Sequence, residues 1–225
     1  MAKPTPRKSE GGPWAGRQGP EKRGPYHHGD LRRGLIAAAL HILGAEGSAA
    51  LTLRAAARLA GVSQAAPYRH FADKETLLAA VAEEGFRALT EAMRAAAAPH
   101  GGDLIGRFRA VGQSYVRFAV EHPAQFRVMF GRELAQRESH LDLGAASAET
   151  FTMLTAAIQQ GQQAGLLRPG EPRDLAMASW SMVHGLSALL VDGRLAPGTQ
   201  ELDAFVFRVV QYLFLGLRND APVRP

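Results

Sequence analysis

The sequence contains no cysteine. That absence removes disulfide frameworks, Cys-ligated zinc, iron–sulfur clusters and thiol catalysis in one step. It also lacks any run of about 18 apolar residues, so no membrane span is expected. Residues 1–30 contain no apolar h-region and do not read as a secretory signal. A chain without disulfides fits a reducing, cytoplasmic setting. What is present is a chain of 225 residues, 46% hydrophobic and 21% charged, with a formal net charge of +5. That is enough for one ordinary domain plus a small second one.

The charge is unevenly placed. Residues 1–74 hold 12 Lys/Arg against 5 Asp/Glu, a balance of +7, and residues 75–225 hold 14 against 16, a balance of −2. The asymmetry points to a polyanion partner for the first third, nucleic acid or an anionic membrane surface. A solvated basic tail is the alternative, because eight of those twelve cations precede Gly34. Residues 1–25 are rich in Gly, Pro, Lys and Arg and nearly free of aliphatics, so they read as a disordered basic arm.

From Asp30 onward the apolar spacing is helical. Asp30 is placed to N-cap a helix with Leu35, Ala39, Ile42 and Leu43 on its apolar face, stopped near Gly47. Thr52 caps a short helix to Ala60, Ser63 a second from Gln64 to His70, and Asp73 a longer one carrying Leu77, Leu78, Val81, Gly85, Leu89 and Met93. Asp103 caps the next helix, which ends before Pro123. A short helix follows, then a polar loop over 132–144 and a helix from Ser147 to about Gly165. Pro172 opens a helix to about Val191, and the last helix spans about Leu202 to Leu217. No alternation of β-branched residues suggests a strand, so the fold class is all-α.

The segment 52–71, TLRAAARLAGVSQAAPYRHF, pairs two capped helices across Ala60-Gly61-Val62-Ser63, the layout of a helix–turn–helix. Such a unit lays its second helix in the DNA major groove. Pro67 and Phe71 face inward with Val62, and Gln64, Ala65, Tyr68 and Arg69 face out. Gln64 and Arg69 suit base edges or phosphate, Ala65 and Ala66 a thymine methyl, and Tyr68 and His70 phosphate oxygens. The candidate DNA contacts on this unit are Leu53, Arg54, Ser63, Gln64, Ala65, Ala66, Tyr68, Arg69, His70 and Lys74. Lys74 sits in a first helical turn, where the macrodipole disfavours a cation. A bridged phosphate accounts for it, and an ordinary exposed lysine is the alternative.

Residues from about Tyr26 to Leu78 resemble the N-terminal domain of the TetR/AcrR family of transcriptional regulators. The resemblance rests on Gly47, Thr52, Ala57, Ala60-Gly61-Val62-Ser63, Tyr68, His70-Phe71, Lys74-Glu75 and Leu77-Leu78. It implies a homodimer on a palindromic operator, usually repressing, released when a small ligand in the C-terminal domain spreads the reading heads. It also implies backbone contacts for Thr52, Tyr68, His70 and Lys74, and a recognition helix over Gln64–Arg69. Two features depart from the family pattern. Ala66 stands where a hydrogen-bonding Thr is common, and Pro67, without an N–H, shortens or bends the recognition helix. The expected organisation is an arm (1–25), a three-helix DNA-binding domain (26–78) and a helical ligand-binding and dimerisation domain (79–225).

In the second half, Trp180 through His184-Gly185 resembles the tryptophan–histidine–glycine signature of one TetR C-terminal type. Phe108, Tyr115, Phe118, Phe126, Met129, Phe130, Phe151, Trp180, Met182 and His184 are candidate lining of an apolar ligand site, or plain core. Between Phe205 and Leu217 only Arg208, Gln211 and Gly216 are not apolar, so the last helix needs cover on two sides. A second subunit is expected to supply it through Leu186, Leu189, Leu190, Phe205, Val206, Val209, Val210, Leu213, Phe214 and Leu217, with burial wholly within the protomer as the alternative.

Enzyme chemistry finds little support. His27-His28 is an adjacent pair, not metal ligands at i,i+4. Glu83-Glu84 point different ways on a helix and read as solvated. No phosphate loop or nucleophile elbow occurs, so no catalytic residue, metal or cofactor is expected. The reading is a DNA-binding regulator, probing double-stranded operator DNA and a small apolar effector, with no membrane partner. The alternatives are an effector-independent regulator, or an all-α binding protein or enzyme whose basic arm meets membrane or RNA.

Overall fold

Local capping chemistry sets most of the helix starts. The computed structural model of the protein describes residues 28–134, 139–198 and 201–218; the expected arm at 1–25 and His27 lie outside these. Helix α1 (His28–Ala45) is followed by α2 (Leu53–Leu59), where the Thr52 side chain accepts from the Ala55 N–H. At α3 (Lys74–Ala97) the Asp73 carboxylate accepts from both the N–H and the hydroxyl of Thr76, each at 2.8 Å. These bonds hold Asp73 below the usual carboxylate range. Asp103 caps α4 (Leu104–Glu121) by accepting from Gly106. Prolines open α5 (Pro123–Phe130) and α7 (Pro172–Val191), where a missing N–H costs nothing. Helices α6 (Leu141–Gln163) and α8 (Leu202–Leu217) complete the described set.

The all-α expectation holds: the described residues carry no strand beyond one isolated bridge between Leu167 and Arg218. Three boundaries differ from the sequence reading. Helix α1 starts at His28, so Asp30 lies in its first turn and is not its cap; an acidic residue suits either place. Helix α6 starts at Leu141, six residues before Ser147, because Leu143 and Ala146 are already buried at helical spacing within the polar run. The expected helix Gln64–His70 is replaced by turn residues and a single 3₁₀ turn, Pro67–Arg69. Pro67 cannot donate to Ser63, and i,i+3 bonds take over: Ala66 N–H to Ser63 O and Arg69 N–H to Ala66 O. Ser63 therefore caps no helix.

Helix α1 packs on α2 and on α3, and α2 on the Pro67–Arg69 turn, to form the head. The body is α3–α8, with α3 central: it packs on α4, α5 and α6, and α4 on α7 and α8. One apolar core runs without interruption from Leu31 in α1 to Leu217 in α8. Helix α3 passes through the expected boundary at 78/79 as a single helix. By length and composition α7 could cross a bilayer. Here it packs on α4, α6 and α8 and buries Ala176, Ser179, Val183, Leu186 and Ser187 among them.

Ion pairs reinforce the packing of α1 on α3 and α5 where head meets body. Arg32 of α1 reaches Glu83 and Glu84 of α3 at 3.4 and 3.3 Å, with its guanidinium over the Phe71 ring. Glu83 also pairs with Arg87 at 2.8 Å and is 7% exposed. The expectation of a solvated Glu83 is thus corrected: two arginines allow its burial. Burial raises the Glu84 carboxyl above its ordinary range. At the α3–α5 crossing, Gly85 lets Met129 approach so closely that a Cβ there would stand 2.6 Å from its sulfur.

Candidate nucleic-acid interface and ligand cavity

Gly61, in the left-handed region at φ +69°, turns the chain out of α2. Pro67 and Phe71 then bury themselves against the head, as their spacing anticipated. The surface this creates exposes Thr52, Arg54, Ser63, Gln64, Ala65, Tyr68 and Arg69, with Ala66 half-buried. Arg58, also exposed at the last turn of α2, adds a cation that the sequence reading did not single out.

Three expected contacts are placed differently. Leu53 is 5% exposed because it begins the apolar face of α2 with Ala56 and Ala57, leaving no side chain for DNA. His70 is half-buried, with its Nε2 shielded and without a hydrogen-bond partner among the described residues. Its ring lines a cleft between the head and the start of α6, not the outer surface. Lys74 has a local role: its ammonium donates to the Ser48 carbonyl at 2.6 Å, tying the α1–α2 connection to α3. Where the macrodipole left phosphate or solvent as explanations, an acceptor 26 residues earlier in the chain supplies a third.

A cavity of about 320 Å³ lies inside the body. One wall is α4, through Phe108, Val111, Gly112 and Tyr115. A second is α6, through Ser147, Thr150, Phe151 and Leu154. A third is α7, through Arg173, Met177, Ser179, Trp180 and Val183; Phe86 and Met93 of α3, Phe130 of α5 and Leu213 of α8 close it. The polar groups on these walls are largely committed. The Trp180 indole donates to the Tyr115 hydroxyl at 3.1 Å, and with His184 taken as its Nε2–H tautomer that hydroxyl donates to His184 Nδ1 at 2.9 Å. Burial lowers the His184 pKa and raises that of Tyr115, which keeps both neutral near pH 7. Thr150 donates to Ala146 O, so Thr90 donates to Thr150 across the buried α3–α6 contact at 2.7 Å.

Of the ten expected lining residues, Phe108, Tyr115, Phe130, Phe151 and Trp180 reach the cavity. The other five do not. Phe118 is buried 4.8 Å from the His122 ring, and Met129 is packed on Gly85. Phe126 and His184 line a separate surface groove with Arg127 and Asp192. Met182 is 42% exposed, on the outer side of α7. Arg173 and Met177 were missed, although with Trp180 they fall at i, i+4, i+7 on one helix face.

The last two helices divide the expected dimer residues. Leu186, Val206, Val210, Leu213, Phe214 and Leu217 are buried within the protomer, and Leu190, Phe205 and Val209 are half-buried. Leu189 is exposed, as are Met182 and Gly185 on α7 and Phe207, Tyr212 and Leu215 on α8, none of which was expected at the interface from sequence. Six of the ten expected residues are thus covered within the protomer itself, a division between inward and outward faces that the sequence reading did not make.

The geometry agrees with what the chain resembles. Residues 35–81 match the family of bacterial regulatory proteins, tetR family, and residues 108–213 match the tetracyclin repressor-like C-terminal domain. A solved protein of unknown function from Rhodococcus sp. RHA1 is 35% identical, with 86% of this chain and 98% of that chain covered and a TM-score of 0.75. A regulatory protein in the tetR family from Rhodococcus RHA1 is 25% identical over 83% of this chain and 96% of its own, at a TM-score of 0.66. The TetR family transcriptional regulator PfmR from Thermus thermophilus, 20% identical over 80% and 97%, shares the fold at 0.65. An exposed helix–turn–helix surface, a helical body and these matches lead to one assignment: the chain belongs to the TetR family of DNA-binding transcriptional regulators.

Proposed function

We propose that this regulator is a cytoplasmic homodimeric repressor that leaves an inverted-repeat operator when a small, largely apolar effector enters the body. The observation that carries the reading is the 320 Å³ cavity, walled in part by Phe86 and Met93 of the same helix, α3, whose first turn is anchored in the head. A cavity of this size falls at the lower end of small-molecule sites. An effector-independent regulator has no need to leave such a volume unfilled. The work is binding, not chemistry. The effector acts by preferring the DNA-incompetent arrangement, and operator DNA weakens effector binding by the same factor.

Division into a DNA-binding part at 26–78 and a ligand-binding and dimerisation part at 79–225 follows from this reading. On the head, Gln64, Ala65, Ala66 and Arg69 read base edges, while Thr52, Arg54, Ser63 and Tyr68 meet the phosphate backbone. Dimerisation uses the exposed apolar faces of α7 and α8, with Met182, Leu189, Phe207 and Leu215 at its centre. Cover for these side chains is what a C2 interface supplies. The test is selection from random duplex DNA by the full chain, with its oligomeric state measured by ultracentrifugation. An inverted repeat, bound with affinity falling steeply as salt rises, and a dimer at micromolar concentration are expected. No consensus, or a monomer bound to single half-sites, would overturn the reading.

A further inference from the structure

The cavity carries one charge. Among its lining residues Arg173 is the single side chain ionised at neutral pH, and no carboxylate joins it there. Its guanidinium has no ion pair or hydrogen bond among the described residues, although its backbone N–H is capped by Glu171. Arg173 occupies the first turn of the 20-residue α7, where the helix dipole already favours a negative group and disfavours a cation. Helix stability therefore gives no reason for an arginine at this position.

The other polar groups on the walls narrow the chemistry further. The hydroxyl protons of Thr150, Ser179 and Tyr115 are committed to Ala146 O, Leu175 O and His184 Nδ1. The donors left for a guest are the Arg173 guanidinium and the Ser147 hydroxyl, and the remaining walls are aromatic and aliphatic. The volume is about twice the ~150 Å³ that holds a benzene molecule in an apolar protein cavity, so the apolar body extends to about a dozen carbon atoms.

We infer that the effector is an amphipathic monoanion, an apolar body of about ten carbons ending in a carboxylate that lies against Arg173. The inference rests on the effector reading above and names the ligand class for the same cavity. An arginine fork matches a carboxylate geometrically. Its exposed setting limits the gain, so the charge supplies selectivity more than total affinity.

The test uses the full chain with Trp14→Phe, which leaves Trp180 as the sole tryptophan. Decanoate and decyltrimethylammonium, each below its micelle concentration, and 1-decanol, below its solubility limit, are titrated by Trp180 emission and by thermal shift. Decanoate is expected to bind about tenfold more tightly than decanol, and the cation more weakly than either. Arg173→Gln is expected to remove the preference for decanoate while leaving decanol unchanged, and Arg173→Lys to restore part of it. Leu154→Trp, which fills the cavity, is expected to abolish binding of all three. Equal affinity for decanoate and decanol, or a preference that survives Arg173→Gln, overturns the anionic class and leaves the effector reading standing. No binding by any probe, or binding that survives Leu154→Trp, overturns both.

Discussion

Tyr115→Phe isolates the hydrogen-bonded wall of the cavity. The substitution keeps the ring, which packs edge-on against Phe126, and deletes the oxygen that accepts from Trp180 and donates to His184. Each hydrogen bond is worth about 1 kcal/mol net, and both freed partners are only half-buried, so water relieves part of the penalty for leaving them unpaired. The expected loss is about 2 kcal/mol, which for a chain of this size lowers Tm by about 4–8 °C. Thermal and urea melts at fixed protomer concentration measure it, since dimerisation makes apparent stability concentration-dependent. Trp180→Phe removes one of the same two bonds, so the double variant should cost about 1 kcal/mol less than the sum of the singles. A Tyr115→Phe protein as stable as the parent, or strictly additive substitutions, would refute the account of this wall.

Lys74→Met keeps the aliphatic stem but removes the ammonium that holds Ser48 O; a loss of about 1–2 kcal/mol in chemical denaturation is expected, and an unchanged midpoint would remove the proposed tether. Gly85→Ala gains about 1 kcal/mol in helix propensity, which overpacking of about 1–3 kcal/mol against Met129 exceeds. The sign should therefore reverse when Gly85→Ala is made in a Met129→Ala background, and a failure to reverse counts against the steric account. Burial gives folded His184 a lower pKa than the unfolded chain, which takes up the extra proton first. Its contribution to stability is full above the ordinary histidine range and fades as pH falls through it. The stability difference between parent and His184→Gln should accordingly shrink from pH 7 to pH 5, and a constant difference refutes the linkage.

Features settled by neighbouring residues were legible in the sequence. The caps at Thr52, Asp73 and Asp103 and the prolines opening α5 and α7 depend on groups within one helical turn. The inward pair Pro67 and Phe71 likewise followed from spacing. Features that depend on distant partners were not legible. Glu83 is buried because Arg32, 51 residues away, reaches it, and Lys74 is explained by a carbonyl 26 residues away. On α4, Tyr115 meets the cavity and Phe118 does not, though both are aromatic and one turn apart. Periodicity identifies an apolar face but not the rotation that decides which side chains border empty space. The same limit applied to α8, where Val210 faces in and Phe207 faces out.

The unbroken run of α3 makes it a lever. Phe86 borders the cavity twelve residues beyond Lys74, a span of about 18 Å along the helix axis. A tilt of about 10° pivoted at Phe86 carries the Lys74 end through about 3 Å, close to the ~3.4 Å that separates successive bases on one DNA strand. Under the proposed effector mechanism, a tilt of that size is what a guest beside Phe86 and Met93 would have to produce to move a reading head by one base step. In a symmetric dimer both heads shift together, and the distance between them changes by up to twice that amount.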